Sequence, residues 1–162
     1  MSPKLRVDIV RLRPSREPLP LPQYMSEGAA GCDLAADIER PLTVAPRERV
    51  LVPTGLAIAV PWGYEGQVRP RSGLALREGL TVANAPGTID ADYRGEIQVL
   101  LVNLGDRPAT IRRGDRIAQL VIAPIVRAVW NEAPALSPTL RHSGGFGSTG
   151  DGSPGPGGAC GP

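Results

Sequence analysis

The spacing of its prolines restricts this chain more than any other feature. Between residues 4 and 130 a proline recurs roughly every ten positions, and the segments between are short apolar runs: "RVLVPTGLAIAV", "GYEGQVRP", "GEIQVLLVNLG" and "ATIRRGDRIAQLVIAPI". Proline inside a helix removes a hydrogen bond and clashes with the preceding turn, at about 3 kcal/mol or more. Long helices are therefore excluded from the body. The runs are rich in Val, Ile and Leu, and several alternate: Leu56, Ile58 and Val60 share one face, with Ala57 and Ala59 on the other. Short β-branched runs bounded by turn residues predict an all-β sandwich or barrel. Only "SGLALREGL" (72–80) has room for a short helix, and residues 14–28 read as an extended connection.

Composition narrows the function classes. A chain of 162 residues fits one domain, and a net charge of +2 gives no basic field for nucleic acid or an anionic membrane. No apolar run approaches the ~20 residues of a membrane-spanning helix. "MSPKLRVDIV" lacks the apolar core and cleavage site of a secretory signal. Two cysteines, Cys32 and Cys160, build no disulfide framework, which points to a reducing cytoplasm. The single histidine, His142, leaves little for a zinc site or a Ser-His-Asp triad. A metal, if used, is expected to be a hard cation held by oxygen, with magnesium the natural candidate.

Several stretches could carry chemistry. "RPRSGLALREG" (69–79) puts Arg71, Ser72 and Gly73 where a strand gives way to a helical turn: a phosphate clamp, or a plain Ser72 N-cap beside a surface arginine. "GCDLAADIE" places Asp33 at the head of a strand, next to a Cys32 that reads as a small buried hydrophobe. "GDRIAQLVIAP" is a strand opened by a Gly-Asp turn. Strict alternation puts Gln119 on the face of Ile117 and Val121, where its amide needs partners. "NAPGTIDADYRGE" (84–96) resembles a polar hairpin tip carrying two acids, Asp90 and Asp92. Twelve of the last twenty residues are Gly or Pro, so this end reads as a flexible arm. The only phenylalanine, Phe146, lies there in "GGFG": a stray exposed apolar residue, or a lid for a flat ligand. "RHSGGFGSTG" lacks the lysine and the strand–helix context of a P-loop. On residues alone, these signals describe a phosphorylated-ligand binder or a hydrolase.

Taken in order, "AAGCDLAA" (29–36), "PRSGLA" (70–75), "NAPGTIDADYRGE" (84–96), "GDRIAQLVIAP" (114–124) and "RHSGGFGSTG" (141–150) resemble the five motifs of the trimeric dUTP nucleotidohydrolases, the dUTPases. The resemblance implies a distorted jelly-roll-like β-barrel with at most one short helix. It also implies a homotrimer whose active sites lie at subunit interfaces and whose C-terminal arm is swapped between subunits. Residues 1–140 would form the barrel, 141–150 a glycine-rich lid and 151–162 a disordered tail. The implied ligand is dUTP, cleaved to dUMP and pyrophosphate with Mg²⁺.

Residue roles follow from the same resemblance. Asp90 would be the general base that activates the attacking water. Asn84, the backbone of Gly87, Thr88 and Ile89, and Gln98 would read uracil, and Tyr93 would lie against the deoxyribose. Arg71, Ser72, Gly73 and Gln119 would hold phosphates, with Asp33 touching the Mg²⁺ through water and the metal held mainly by the triphosphate. In the arm, Phe146 with Gly147 would stack on the base, while Arg141, Ser148 and Thr149 grip the γ-phosphate end. Asp92 is left as a turn residue and Glu96 as the partner of a nearby cation. One departure stands out, because His142 occupies a position where the family usually has glycine. A dCTP deaminase of the same fold and a non-catalytic nucleotide-binding β-module are the competing readings.

Overall fold

The computed structural model describes residues 5–13, 17–140 and 142–144. These residues are nearly all β, with one short helix, as the proline spacing predicts. In chain order the elements are β1 (Asp8–Arg11), β2 (Cys32–Ala35), β3 (Leu42–Val44), β4 (Arg49–Pro53), β5 (Leu56–Ala59) and β6 (Tyr64–Arg69). There follow α1 (Ser72–Glu78), β7 (Leu80–Val82), β8 (Gly87–Ile89), β9 (Gln98–Asn103), β10 (Ala109–Ile111) and β11 (Arg116–Pro124). The expected extended connection is found only in part: residues 18–24 form no helix or ladder beyond one bridge, Tyr24 to Cys32, whereas 25–28 are bends and a turn closed by the Ala29 N–H on the Ser26 carbonyl (3.2 Å).

All ladders are antiparallel. They form four sheets: β1–β5, β10–β3, the four-stranded β2–β11–β6–β8 and the three-stranded β4–β9–β7. One apolar cluster draws on all of them, including Leu34, Val44, Val52, Ile58, Leu101 and Ile117. It is aliphatic, in keeping with an aromatic content of only 4%. Aliphatic burial of this kind stabilises by about 25 cal/mol per Å² of apolar surface. The core also holds one polar side chain with no solvent exposure, Asn103. Its Nδ2 donates to the carbonyls of Val44 (2.9 Å) and Arg107 (2.8 Å), and its Oδ1 accepts from the N–H of Gly105 (2.8 Å). Nothing in the pattern of residues around 103 announces this role; it exists because the chain leaves β9 for a turn that must be satisfied in a dry interior.

Two local expectations meet the structure differently. The helix forms as the sequence allows, ending at Gly79, whose φ of 69° is left-handed and whose N–H donates to the Ala75 carbonyl. The side-chain alternation expected along β11 does not hold. Its pairing with β2 shifts register between Arg116 and Ala118, so Ile117 and Ala118 are both buried. The bulge puts Ile117 on the core side and leaves Gln119 facing outward with Val121.

Contacts divide the chain into two units, residues 1–127 and 128–162. In the second unit the described residues form no strand or helix, and Val129, Trp130, Leu136 and Leu140 are each more than nine-tenths exposed. The expected lid residues Arg141, Phe146, Gly147, Ser148 and Thr149, and the tail 151–162, lie outside the described residues.

Candidate active site

The stretch that resembled a hairpin tip is a crossing between sheets. β8 pairs with β6, whereas β9 pairs with β4 and β7. The strands flanking "DADYRGE" therefore form no ladder with each other, because each has another partner. β7 stops at Val82, and the final bond along that edge of β9 runs from the Ala83 N–H to the Leu100 carbonyl, 2.9 Å. Backbone groups on an antiparallel strand alternate sides with period two. The N–H and C=O of Gln98 thus point to the same side as those of Leu100, beyond the end of β7.

That side opens into a cavity of about 240 Å³ between the free edge of β8 and the start of β9. Its polar wall consists of Asn84, Gly87, Thr88, Tyr93 and Gln98, with Ile89 beside them; Leu51, Val68 and Leu100 make the apolar wall. The residues between 84 and 98 that the resemblance assigned to base and sugar are all here; Phe146 and Gly147 lie outside the described residues. Pockets that enclose a drug-sized ligand run to roughly 300–1,000 Å³. This one is smaller, with room for a base and sugar but not for a triphosphate chain.

Tyr93 is held in a fixed attitude. Its hydroxyl donates to the Glu96 carbonyl (3.0 Å), and its N–H donates to the Asp90 carbonyl (3.1 Å). The ring lies close against Gly95, where a Cβ would overlap the Tyr93 hydroxyl and force the ring to move. Arg94, to which sequence reasoning gave no role, braces the same turn by donating to the carbonyls of Ala91 (2.8 Å) and Tyr93 (2.7 Å). Asp90 follows directly on β8 and is exposed, and its carboxylate has no protein partner among the described residues. Such a group is free to orient a water. Asp92 is an exposed turn residue, and Glu96 meets the cation expected of it, Arg13 Nη2 at 2.9 Å.

A second group of side chains gathers around Asp33, whose carboxylate is only 7% exposed. Oδ1 lies 3.3 Å from Arg71 Nε and accepts from Gln119 Nε2 at 3.3 Å, while Oδ2 accepts from Arg116 Nη1 at 2.9 Å. Arg71 also donates through Nη1 to the Arg116 carbonyl, 3.0 Å. One carboxylate against two guanidiniums leaves a surplus positive charge, which attracts anions. The partners of Asp33 here are side chains, and Arg116 was not among the residues singled out from sequence. Strand pairing accounts for it: Arg116 stands opposite Ala35 on β2, two residues from Asp33, and Gln119 stands opposite Asp33 itself. The N-cap of α1 is Arg71, with no side-chain cap, so the plain Ser72 cap is not what forms. Ser72 and Gly73 instead present first-turn N–H groups.

The two groups occupy neighbouring rows at one end of the four-stranded sheet. Gly87 pairs with Val68 and Val68 with Leu120; one residue along, Arg69 pairs with Gln119 and Gln119 with Asp33. Three strand spacings separate β8 from β2, roughly 14 Å. Among the described residues no three His, Cys, Asp or Glu side chains gather into a metal cage. Both oxygens of Asp33 are engaged by Arg71, Gln119 and Arg116, so its carboxylate offers no open ligand for direct coordination of a cation.

Cys32 is half-buried rather than fully buried, in contact with Tyr24. Burial pushes its thiol pKa up and the adjacent Asp33 adds to this, against the opposing hydrogen bond with Tyr24. That hydrogen bond, with the neighbouring thiol's charge, pushes the Tyr24 hydroxyl up as well. His142 has φ 47°, in the left-handed region where glycine is at ease, which accounts physically for a glycine preference at this place.

A family model for dUTPase matches residues 17–150, more than three-quarters of the chain. The chain belongs to the dUTPase family. Among curated dUTPase relatives, the deoxyuridine 5'-triphosphate nucleotidohydrolase of Methylocella silvestris is 59% identical over 152 residues, covering 93% of this chain and 94% of that protein. Its counterpart from Desulfotalea psychrophila is 60% identical over 134 residues, 83% of this chain and 89% of that protein. Among solved structures, the dUTPase of Staphylococcus bacteriophage 80alpha with dUPNHPP superposes with a TM-score of 0.78 at 25% identity, covering 90% of this chain and 98% of that one. A dUTPase from phage phi11 of S. aureus, described with a structural Mg(II) ion, has the same fold (TM-score 0.71, 23% identity, covering 82% of this chain and 99% of that one). No helix among the described residues is long and apolar enough to cross a membrane.

Proposed function

We propose that this dUTPase-family chain hydrolyses dUTP to dUMP and pyrophosphate. The observation that carries the reading is the slot between β8 and β9, which collects Asn84, Gly87, Thr88, Ile89, Tyr93 and Gln98 on one wall. Uracil enters edge-on and meets the backbone groups and the Asn84 amide. The amino group of cytosine would leave a buried polar group unpaired, and rejection on that basis is strong. Tyr93, fixed against Gly95, lies where a 2′-hydroxyl would need space. Asp90 holds and deprotonates the water that attacks the α-phosphorus in line, a contribution of about 10²–10⁴-fold for a positioned base.

The phosphates are held by Arg71, the first-turn N–H groups of Ser72 and Gly73, and Gln119. Mg²⁺, when bound, would neutralise phosphate charge, and by the resemblance Asp33 would contact it through water. The resemblance to the trimeric dUTPases supports a site completed by more than one copy. We assign the chain to a homotrimer in which a neighbour's cluster faces this slot. The exposed apolar residues of 128–140 favour packing of the segment on another copy, carrying Arg141, Phe146, Gly147, Ser148 and Thr149 to that copy's slot as a lid. A cytoplasmic setting suits the two cysteines.

The test is product analysis with dUTP, dCTP, dTTP and UTP side by side, with and without EDTA. The expected outcome is pyrophosphate and dUMP from dUTP alone, lost on chelation. Ammonia release from dCTP, or binding without turnover, would overturn the reading.

A further inference from the structure

Glu96 takes no part in the chemistry just described, yet it lines the slot and makes three directional contacts. Its carbonyl accepts from the Tyr93 hydroxyl (3.0 Å). Its Oε1 accepts from the N–H of Gly55 (2.7 Å), and its Oε2 accepts from Arg13 Nη2 (2.9 Å). The carboxylate is 16% exposed. Arg13 in turn reaches Asp37 at 3.4 Å, and the other oxygen of Asp37 lies 3.2 Å from Arg113 Nε. Arg113 also donates to the Glu17 carbonyl, 3.1 Å.

The anchor point is rigid. Gly55 has φ 69°, and a Cβ there would collide with the Asp37 carboxylate. The Gly55 carbonyl accepts from the Leu12 N–H (2.8 Å), and the Asp37 N–H donates to Pro53 (2.8 Å). Directly after Glu96 the backbone is tied to the same turn: Thr54 Oγ1 donates to the Ile97 carbonyl (2.6 Å), and the Ile97 N–H donates to the Leu56 carbonyl (2.8 Å). The slot has no ladder of its own between β8 and β9, so its width is set by what holds this side in place.

We infer that Glu96, together with Arg13 of the N-terminal segment, is a positioning residue that fixes the Tyr93 side of the slot and so sets uracil affinity and selectivity. The inference rests on the dUTP reading above. The carbonyl of Glu96 holds the tyrosine, and the carboxylate ties that carbonyl to Gly55 and to Arg13, 83 residues away in sequence. Charge-assisted hydrogen bonds of this kind are the strong ones.

The test is steady-state kinetics with dUTP and dCTP on Glu96→Ala, Glu96→Gln, Arg13→Ala and the Arg13→Ala/Glu96→Gln double variant. Glu96→Ala is expected to raise KM for dUTP about tenfold while kcat changes less than about threefold, with weaker discrimination against dCTP. Glu96→Gln keeps the acceptor for Gly55 and loses only the ion pair. It should match Arg13→Ala at about a two- to threefold rise in KM, with the double variant no worse than either. A Glu96→Ala variant with parental KM and selectivity and only a lowered Tm would overturn the inference. So would a loss confined to kcat. Should Glu96→Ala fail to fold, the half-exposed Arg13 still decides: a parental KM for Arg13→Ala overturns the inference. Absence of dUTP turnover by the parental chain would overturn the functional reading and this inference with it. Parental turnover with unchanged variants overturns this inference alone.

Discussion

The slot and the arginine cluster are built in opposite ways. The slot comes almost entirely from one continuous stretch, residues 84–98, and much of its polar wall is backbone. The cluster is assembled from side chains on β2, β11 and the residue that opens α1, elements whose contributing residues lie 38 to 86 positions apart in sequence. A backbone wall is rigid and selective for the shape and hydrogen-bonding edge of a base. A shared carboxylate between two guanidiniums is a charge store, suited to gripping phosphate with little concern for what base it carries. On the proposed reading, selectivity and grip would be separable properties of this chain.

Substitutions can break that comparison. The largest effect is expected at Asp90, which belongs to neither wall. Asp90→Asn should lower turnover by about 10²–10⁴-fold while calorimetry still detects dUTP binding, and Asp92→Asn should stay within about twofold of the parent. The opposite result would exchange the roles of the two acids. Next come Asp33→Ala and Asn84→Ala as a reciprocal pair. Asp33→Ala frees both arginines and should cost about ten- to a hundredfold in kcat/KM for dUTP with the dUTP:dCTP ratio unchanged. Asn84→Ala should reduce that ratio by about tenfold or more, with a smaller loss of kcat for dUTP. If both variants shifted the ratio equally, the two regions would be one functional unit.

The smallest effect concerns Cys32, beside the cluster. With its pKa pushed up, little of the thiol is thiolate at neutral pH. In a Cys160→Ser background, iodoacetamide should label it slowly at pH 7.5 and faster as pH rises toward and past that elevated value. Rapid labelling at pH 7.5 would show a cluster whose positive charge outweighs both burial and Asp33.

The same contrast explains what could be read from the sequence. Proline spacing and alternating apolar runs announced an all-β chain with one short helix, because both are local signals. The slot was legible for the same reason, since its residues are consecutive and Asn84, Asp90 and Tyr93 stand in a recognisable order. Arg116 was missed because its meaning lies in pairing with Asp33 across 83 residues. The face of Ile117 was misjudged because a bulge between Arg116 and Ala118 leaves no mark in an alternating pattern. That Ser72 would cap the helix was a sound local expectation, but the helix starts at it and Arg71 is drawn instead to Asp33. Asn103 and Arg94 satisfy backbone groups whose need appears only once the chain has turned.

Leu51 and Leu100, opposite each other on β4 and β9, line the slot, and Leu51 remains 54% exposed. In the proposed homotrimer, a neighbouring copy covering this pair would finish the slot wall in the same act. Self-association and catalytic competence would then share one equilibrium. Specific activity would become a function of enzyme concentration, falling on dilution below the subunit dissociation constant and recovering as substrate, by filling the slot, drew the copies back together.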